Sequence, residues 1–440
     1  MSTAAEAPAN AAEVRALATV AKVASRELAP LAESRRNAAL EAMARAVEAA
    51  GKELLAANAE DVRAAESLPP ATMARLKLDD AKLREMAEQI RSVATLADPL
   101  GRVLDAVELD DAEGGLHMQK VSVPLGVLAV IFEARPDAVT QIAALALKSG
   151  NAVILKPGRE VEHTATVLLR VLRDALVSQG LSRDIISMVI GRESVVELLG
   201  LYGLVDMVIP RGSKELVEYV QANTRIPVLG HAEGVCHIYV DRSADEALAL
   251  RVIDDAKTDY PAACNAVETV LVHREIAAEF VPRLALRLRE HSVKLFGDAT
   301  VQMLARDFAI APVADWHTEY GELALSIGVV DSMETAMEHI HRYGSAHTEA
   351  IVTDDLATAE RFLSEVDAAS VMHNASTRFA DGFRYGFGAE VGISTSKLHA
   401  RGPVGLEGLT TYKYVVRGHG HVAGDYRGAN ARTFTHKRGA

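Results

Sequence analysis

The chain has 440 residues, of which 49% are hydrophobic, and carries a formal net charge of -13 at pH 7. This length exceeds what a single hydrophobic core usually supports, so we expect two or three structural units. The negative charge and the lack of an extended basic run argue against a nucleic-acid partner. Two cysteines cannot build a disulfide framework, and no apolar run reaches about 18 residues, so the sequence predicts a cytoplasmic protein without a membrane partner.

The first third of the chain predicts helices followed by a ribbon. Residues 11–67 are alanine-rich with charges interspersed, a pattern typical of long amphipathic helices, and Pro69 and Pro70 end that run. Between residues 99 and 123, two segments rich in apolar residues flank the pair Gly114 and Gly115. This pattern predicts a two-stranded ribbon, which is not stable alone and should pack on another element.

From Gly126 onward, short apolar runs alternate with helical stretches, which indicates an α/β fold with a parallel sheet covered on both faces. Ligands of such sheets bind beyond the carboxyl ends of the strands. Neither the usual glycine fingerprint of dinucleotide-binding folds nor a phosphate-binding P-loop follows these runs. The predicted strands are 127–132, 152–155, 185–190, 205–209, 237–240 and 267–272.

Cys264 lies in a loop of small residues that runs directly into an apolar strand, where a nucleophile could be displayed. A cysteine there is reactive only if it is partly exposed and nearby dipoles or cations favour its thiolate; otherwise it is an inert, buried side chain. Cys236 begins another apolar strand and is expected to be core. His419 and His421 lack further ligands nearby, so no metal is expected.

Two strand ends carry cations beside a glycine, a pattern that suits phosphate groups, although each could also be a solvated turn. They comprise Lys156, Gly158 and Arg159 in one segment and Arg211, Gly212, Ser213 and Lys214 in the other. Arg135 follows a third strand and could bind a carboxylate or phosphate, or simply pair with Glu133. Residues 371–414 are rich in glycine and small polar residues, which predicts a long irregular segment suited to a ligand-lined wall.

Together with Cys264, these segments resemble the γ-glutamyl phosphate reductase family of the aldehyde dehydrogenase superfamily, from about residue 14 to Gly420. The most specific strings are 132–136, 147–155, 264–269 and 387–403. The resemblance implies an aldehyde-dehydrogenase-like fold of two parallel-sheet α/β domains plus a small β oligomerisation element. It assigns residues 1–98 and 122–230 to a cofactor-binding domain, 231–404 to a catalytic domain, and 99–121 with 405–440 to the oligomerisation hairpin and C-terminal strand.

The reaction implied by the resemblance is the reduction of L-glutamate 5-phosphate to L-glutamate 5-semialdehyde with NADPH, with release of phosphate, in proline biosynthesis. Cys264 would attack the acyl phosphate and form a thioester. A homo-oligomer is implied, and the labile substrate suggests a transient contact with glutamate 5-kinase. The alternative is an oxidising aldehyde dehydrogenase acting on another small aldehyde, or, from another class, a catalytically idle relative that binds nucleotide.

Site residues follow from the resemblance in three groups. Cys264 is the nucleophile, and its backbone amide is an oxyanion donor together with Asn265 or with backbone alone. Arg159 stands where a cation would accept a 2′-phosphate, which favours NADP(H). The water-activating glutamate of oxidising relatives has no counterpart in the stretch from Leu229 to His231, although Glu233 is close. The cofactor candidates are Lys156, Gly158, Arg159, Arg211, Gly212, Ser213, Lys214 and Glu319, and the substrate candidates are Arg135, Asn374, Ser376, Arg378, Lys397 and Arg401.

Overall fold

The structure, a computed structural model, describes residues 11–65, 68, 70–112, 114–231 and 233–438. The predicted domains include residues 1–10 and 439–440, which lie outside the described residues. Residues 66 and 67 of the predicted helical run, and Pro69, which was predicted to end it, also lie outside them.

Five helices open the described chain, of which the first three lie within the alanine-rich run predicted to be helical and the last two follow it. The Asp79 side chain accepts a hydrogen bond from the backbone N–H of Lys82 at 2.8 Å and so caps the last of them. Their apolar faces pack on the first parallel sheet, described below. The helices are α1 (Ala11–Leu28), α2 (Glu33–Ala49), α3 (Gly51–Ala64), α4 (Pro70–Leu76) and α5 (Asp80–Thr95).

The predicted ribbon is an antiparallel hairpin of β1 (Val103–Asp110) and β2 (Leu116–Pro124). The next elements form a four-stranded parallel sheet in the order β5-β4-β3-β6. The predicted strands 127–132, 152–155 and 205–209 correspond to β3, β4 and β6, whereas the predicted strand 185–190 is a strand of only three residues, β5. The elements are β3 (Val127–Phe132), α6 (Pro136–Lys148), β4 (Ala152–Pro157), α7 (Glu162–Ser178), β5 (Ile186–Met188), α8 (Glu193–Leu199), β6 (Met207–Arg211) and α9 (Lys214–Ala222).

Both faces of this sheet are covered. Along β3, Leu128, Val130 and Phe132 face one apolar core, which includes residues of α2, α5, α6 and α7. The alternating residues of the same strand face a second core, which includes residues of α1 and α8. Alternation between two buried faces explains why this strand is apolar throughout.

The second parallel sheet has seven strands in the order β10-β9-β11-β8-β7-β12-β13. Only β7 and β8 correspond to predicted strands; β9, β10 and β13 have four residues or fewer, whereas β11 and β12, with seven and five residues, were not predicted. The elements are β7 (Cys236–Val240), α10 (Glu246–Thr258), β8 (Val267–His273), α11 (Arg274–Glu290), β9 (Lys294–Gly297), α12 (Ala299–Leu304), β10 (Ala311–Pro312), β11 (Ala324–Val330), α13 (Met333–Tyr343), β12 (Thr348–Val352), α14 (Leu356–Glu365) and β13 (Ser370–His373).

The rest of the chain is mostly irregular, as predicted for residues 371–414. β14 (Ile393–Ser394) pairs with β15 (Gly402–Pro403), and Val391, Val404 and Leu409 enter the core of the four-stranded sheet. β16 (Thr410–Arg417) then pairs antiparallel with β2 along its whole length.

The glycine-rich composition of residues 421–440 predicts a loosely attached C-terminal end, and the described part of this segment differs from that prediction. Instead, β17 (Lys437–Arg438) pairs with β1 and completes a four-stranded antiparallel sheet in the order β16-β2-β1-β17. Arg432 donates to the buried Asp110 carboxylate at 2.5 Å, and the Tyr426 and Phe434 rings stack at 4.3 Å. Polar and aromatic contacts therefore hold a segment whose composition does not reveal them.

Two parallel-sheet α/β units and a small antiparallel sheet thus confirm the predicted fold class. Among the described residues, no helix combines the length and apolar character needed to cross a membrane.

Candidate functional site

A cleft of about 580 Å³ lies between the two parallel sheets. One wall comes from the carboxyl ends of β3 and β6, where Arg135 and Arg211 are located. The facing wall comes from the amino end of β8, because Cys264 precedes that strand. The rule that ligands bind beyond carboxyl ends therefore describes only the first wall. The second sheet presents its nucleophile candidate from the opposite strand end.

Tight turns hold Cys264 in a fixed position. The backbone N–H of Ala263 donates to the Tyr260 carbonyl at 3.1 Å, and that of Ala266 donates to the Ala263 carbonyl at 2.9 Å. Cys264 is half-buried, whereas Cys236 is fully buried. Burial, with smaller contributions from the charges of Glu390 and Glu319, raises the pKa of the Cys264 thiol to about 12. The thiol therefore needs a proton acceptor before it can attack.

Two histidines lie beside the thiol: His231 is not among the predicted site residues, and His347 belongs to the loop 347–349, which the sequence suggests only as a polar contact for the substrate. One nitrogen of His231, one of His347 and the Cys264 sulfur all lie within 4.8 Å of one another. Burial lowers the pKa of both imidazoles, that of His347 to about 3, so both rings are neutral near pH 7. The only signal in the sequence was that His231 falls in the stretch where oxidising relatives carry glutamate.

The hydrogen bonds of these rings identify their free nitrogens. His231 Nδ1 lies 3.0 Å from the Ile393 carbonyl oxygen, which can only accept, so this nitrogen carries the proton and Nε2 has the lone pair. His347 Nδ1 lies 2.8 Å from the Thr348 hydroxyl oxygen. Its Nε2 is buried and has no hydrogen-bond partner among the described residues.

Asn265 lines the cleft, but its side-chain amide is already engaged. Nδ2 donates to the Ala380 carbonyl at 2.9 Å, and Oδ1 accepts from Arg378. Arg378 also donates to Asp259 at 3.1 Å. The oxyanion donor was expected to be either Asn265 or the backbone alone, and these contacts favour the backbone. They also show that Asn265 links the loop of Cys264 to the irregular segment.

The cations of the cleft differ in how well they are paired. Lys214 forms an ion pair with Glu233, and the Ser213 backbone N–H donates to Glu133 at 3.0 Å. By contrast, Nη1 of Arg211 is buried without a hydrogen-bond partner among the described residues. Burial, followed by the charge of Arg135, lowers the pKa of Arg211. An unpaired buried guanidinium beside a second arginine is suited to an anion.

Glu319 also lines the cleft. Much of the residue is exposed, yet its carboxyl group lies deep enough for burial to raise its pKa, while a hydrogen bond from the Gly234 backbone opposes that rise.

A second cavity, of about 620 Å³, adjoins the first at the carboxyl ends of β3 and β4. It contains Lys156, Gly158 and Arg159, and it shares Glu133 and Ser213 with the cleft of Cys264. Burial lowers the pKa of Lys156, whose ammonium donates to the Pro157 carbonyl at 3.0 Å, whereas Arg159 is exposed. A long ligand could therefore extend from the cation at Arg159 to the thiol.

Four substrate candidates do not line the Cys264 cleft. Both ends of the Asn374 amide bond to the Thr353 backbone, at 3.0 Å each, and the Ser376 hydroxyl accepts from the Arg378 N–H. Lys397 and Arg401 both pair with Asp367. Ser376 nevertheless bonds to Arg378, which does line the cleft. Direct contact of these four residues with a substrate stays a prediction. Arg135 and Arg378 are the two substrate candidates that do line the cleft.

Comparison with known proteins identifies the family of the chain. The profile of the aldehyde dehydrogenase family matches residues 2–314. The chain is 53% identical to γ-glutamyl phosphate reductase 1 of Synechocystis over 96% of each chain, and 54% identical to γ-glutamyl phosphate reductase of Cyanothece over 96% of this chain and 97% of that one. The crystal structure of γ-glutamyl phosphate reductase from Thermotoga maritima is similar with a TM-score of 0.90 and 38% identity, covering 93% of this chain and 99% of that one.

An acetylating aldehyde dehydrogenase of Geobacillus thermoglucosidasius shares the fold at 19% identity, with a TM-score of 0.66 over 94% of this chain and 98% of that one. Enzymes of this family use NAD or NADP. The chain belongs to the aldehyde dehydrogenase family and groups with the γ-glutamyl phosphate reductases.

Proposed function

We propose that the chain reduces L-glutamate 5-phosphate to L-glutamate 5-semialdehyde with NADPH and releases phosphate, as a step of proline biosynthesis. The relatives named γ-glutamyl phosphate reductase support this reaction. The observation that carries it in this chain is a half-buried thiol that shares its cleft with Arg211, whose buried Nη1 has no hydrogen-bond partner in the described part of the chain.

The first chemical step is acyl transfer. His231 accepts the thiol proton at Nε2, and the Cys264 sulfur attacks the acyl carbon, which breaks the bond to phosphate and forms a thioester. Arg211 and Arg135 stabilise the departing phosphate, which takes up the proton. The Cys264 backbone amide stabilises the developing oxyanion.

A bound nicotinamide coenzyme would supply a hydride to the thioester carbon. The resulting oxyanion reforms a carbonyl and expels the Cys264 thiolate, so the semialdehyde leaves and the sulfur regains a proton from solvent through His231. Lys156, Gly158 and Arg159 would hold the coenzyme in the second cavity, with Arg159 beside the 2′-phosphate, and Gly212, Ser213 and Glu319 would position its reactive end. The exposed guanidinium of Arg159 supports NADP over NAD.

An oxidising dehydrogenase would need a carboxylate that activates water near the thioester. In the stretch where oxidising relatives carry that glutamate this chain has His231, Glu233 is held in an ion pair with Lys214, and the cleft carboxylate of Glu390 accepts a hydrogen bond from the Gly382 N–H. These contacts support phosphate release over hydrolysis.

We also propose that residues 99–121 and 405–440 form the contact with a second copy, since their sheet exposes Tyr412, Tyr414 and Val416. Residues 1–98 and 122–230 would bind the coenzyme and 231–404 carry the chemistry. Sedimentation of the Tyr414→Asp variant, compared with the unmodified chain, tests the first point. The transient contact with glutamate 5-kinase stays a prediction, which co-purification tests.

The reverse reaction tests the proposed function, because the semialdehyde is easier to handle than the acyl phosphate. Protein, glutamate 5-semialdehyde and NADP are mixed with and without phosphate, and nicotinamide absorbance is followed. Phosphate-dependent reduction of NADP that disappears in Cys264→Ser supports the proposal. Phosphate-independent reduction would identify a hydrolytic dehydrogenase, with Glu233 as the first candidate for water activation.

A further inference from the structure

The cluster of His231, Cys264 and His347 has the composition of a metal site as well as of an acyl-transfer site. One ligand atom from each residue lies within 4.8 Å of the other two. Zinc bonds sulfur at about 2.3 Å and nitrogen at about 2.0 Å, so ligand atoms around it are roughly 3.5 Å apart. Side-chain rotations that move each ligand atom by about 1 Å would therefore bring all three within bonding distance of one ion.

The orientation of the rings supports this second role. The backbone carbonyl of Ile393 holds Nδ1 of His231, which is how protein groups typically orient a histidine that ligates metal through its other nitrogen. His347 is 1% exposed, and its Nε2 is a buried polar atom without a partner among the described residues. A bound cation would satisfy that atom, whereas acyl transfer alone does not require it.

The donor set selects the class of ion. Two imidazoles and a thiolate suit zinc and similar borderline-soft divalent cations, and they do not suit magnesium or calcium, which prefer oxygen ligands. Three protein ligands leave a fourth position open toward the cleft. We propose that zinc-class divalent cations bind reversibly to Cys264, His231 and His347 and thereby block the nucleophile.

Binding is a ligand exchange without electron transfer. The Cys264 S–H bond breaks, its proton goes to solvent, and a metal–sulfur bond forms together with two metal–nitrogen bonds. The sulfur is then unable to attack an acyl phosphate until a chelator removes the ion. This inhibitory consequence rests on the proposed function, whereas metal binding itself does not.

The first test uses the full chain, freed of metal by a chelator, and Co²⁺ as a spectroscopic probe. We expect one Co²⁺ per chain with a thiolate-to-cobalt charge-transfer band, and displacement of the cobalt by Zn²⁺. Cys264→Ser should abolish the band, and His231→Gln should weaken binding by about tenfold or more. Circular dichroism checks that each variant is folded.

Cys236→Ser is the matched control, because the Cys236 sulfur lies 3.8 Å from His347 Nδ1 but points to the Cys264 carbonyl instead of into the cleft. This variant should keep the charge-transfer band. A band that survives Cys264→Ser, or one that disappears in Cys236→Ser, would overturn the site, as would the absence of any thiolate band in the unmodified chain.

A second readout does not depend on cobalt. Zn²⁺ should protect Cys264 from iodoacetamide at least tenfold, as measured by mass spectrometry of the peptide, and a chelator should restore labelling. Equal labelling with and without Zn²⁺ would contradict the proposal. If cobalt binds as expected but the phosphate-dependent assay fails, the metal site stands and the proposed function does not.

Discussion

Gly234 packs directly against the backbone of Cys264. A Cβ atom at position 234 would lie 2.0 Å from the Cys264 carbonyl oxygen and 2.6 Å from its Cα. The same carbonyl accepts a hydrogen bond from the Cys236 sulfur at 3.3 Å. Gly234 and Cys236, at the start of β7, therefore hold the backbone of Cys264 in position.

Gly234→Ala should displace the nucleophile. Because the clash is with backbone and not with a flexible side chain, we expect a loss of about 1–3 kcal/mol in the free energy of unfolding and a fall of tenfold or more in kcat of the reverse reaction. Urea unfolding and steady-state kinetics measure the two effects. Gly424→Ala is the control, since the nearest atom to its Cβ would be 3.9 Å away. Unchanged turnover in Gly234→Ala would mean that the position of Cys264 is not critical.

The sequence was informative about the nucleophile itself and much less so about its surroundings. Cys264 could be proposed as the nucleophile because a loop of small residues precedes a strongly apolar strand and because the surrounding segments resemble a known family. The loop 347–349 could be named as a polar candidate, but the position of His347 beside the thiol could not be predicted, since a single histidine before a short strand has no distinctive pattern. Its proximity to the thiol arises only because β12 lies beside β7 in the sheet, whose neighbour on the other side is β8.

The four substrate candidates that do not line the cleft show a related limit. Asn374, Ser376, Lys397 and Arg401 lie in a glycine-rich segment, and composition alone cannot tell which of its polar side chains face the cleft. Lys397 and Arg401 both pair with Asp367, which lies too far away in the sequence for a local pattern to reveal the pairing. By contrast, the buried runs at 127–132 and 267–272 are long enough to fix two strands of the fold.

Arg159→Gln should weaken the preference for NADP(H). A charge-assisted hydrogen bond is worth about 1.5–3 kcal/mol, so we expect the ratio of kcat/KM for NADP to that for NAD to fall about 10- to 100-fold. Initial rates of the reverse reaction with each coenzyme measure this ratio. Arg192→Gln is the comparison, because Arg192 lines the same cavity. A fall in Arg192→Gln alone would transfer the 2′-phosphate role to that residue.

Arg211→Gln should separate phosphate binding from coenzyme binding. The sequence predicts Arg211 to bind the coenzyme, but its buried Nη1, which has no partner among the residues that the structure describes, shares the cleft with Cys264. We expect the KM for phosphate in the reverse reaction to rise about tenfold or more, with the KM for NADP changed less than threefold. Lys214→Gln, which removes a cation already paired with Glu233, should have the smaller effect on phosphate. A higher KM for NADP instead would restore the original coenzyme assignment.

Glu390→Gln should make Cys264 more reactive. After burial, the Glu390 charge contributes most to the raised pKa of the thiol, because a nearby carboxylate disfavours the thiolate. Removing that charge lowers the thiol pKa, and below the pKa the thiolate fraction rises tenfold for each unit of that decrease.

We therefore expect iodoacetamide to label Cys264 about three- to tenfold faster in Glu390→Gln at a fixed pH between 7 and 9, with the rate still rising as the pH rises. Glutamine keeps a carbonyl oxygen that can accept the Gly382 N–H bond, now at 2.8 Å, so the loop should stay in place. Glu319→Gln is the matched control and should accelerate labelling less, because Glu319 contributes less to the shift. Slower labelling in Glu390→Gln would show that this carboxylate promotes ionisation of the thiol instead of opposing it.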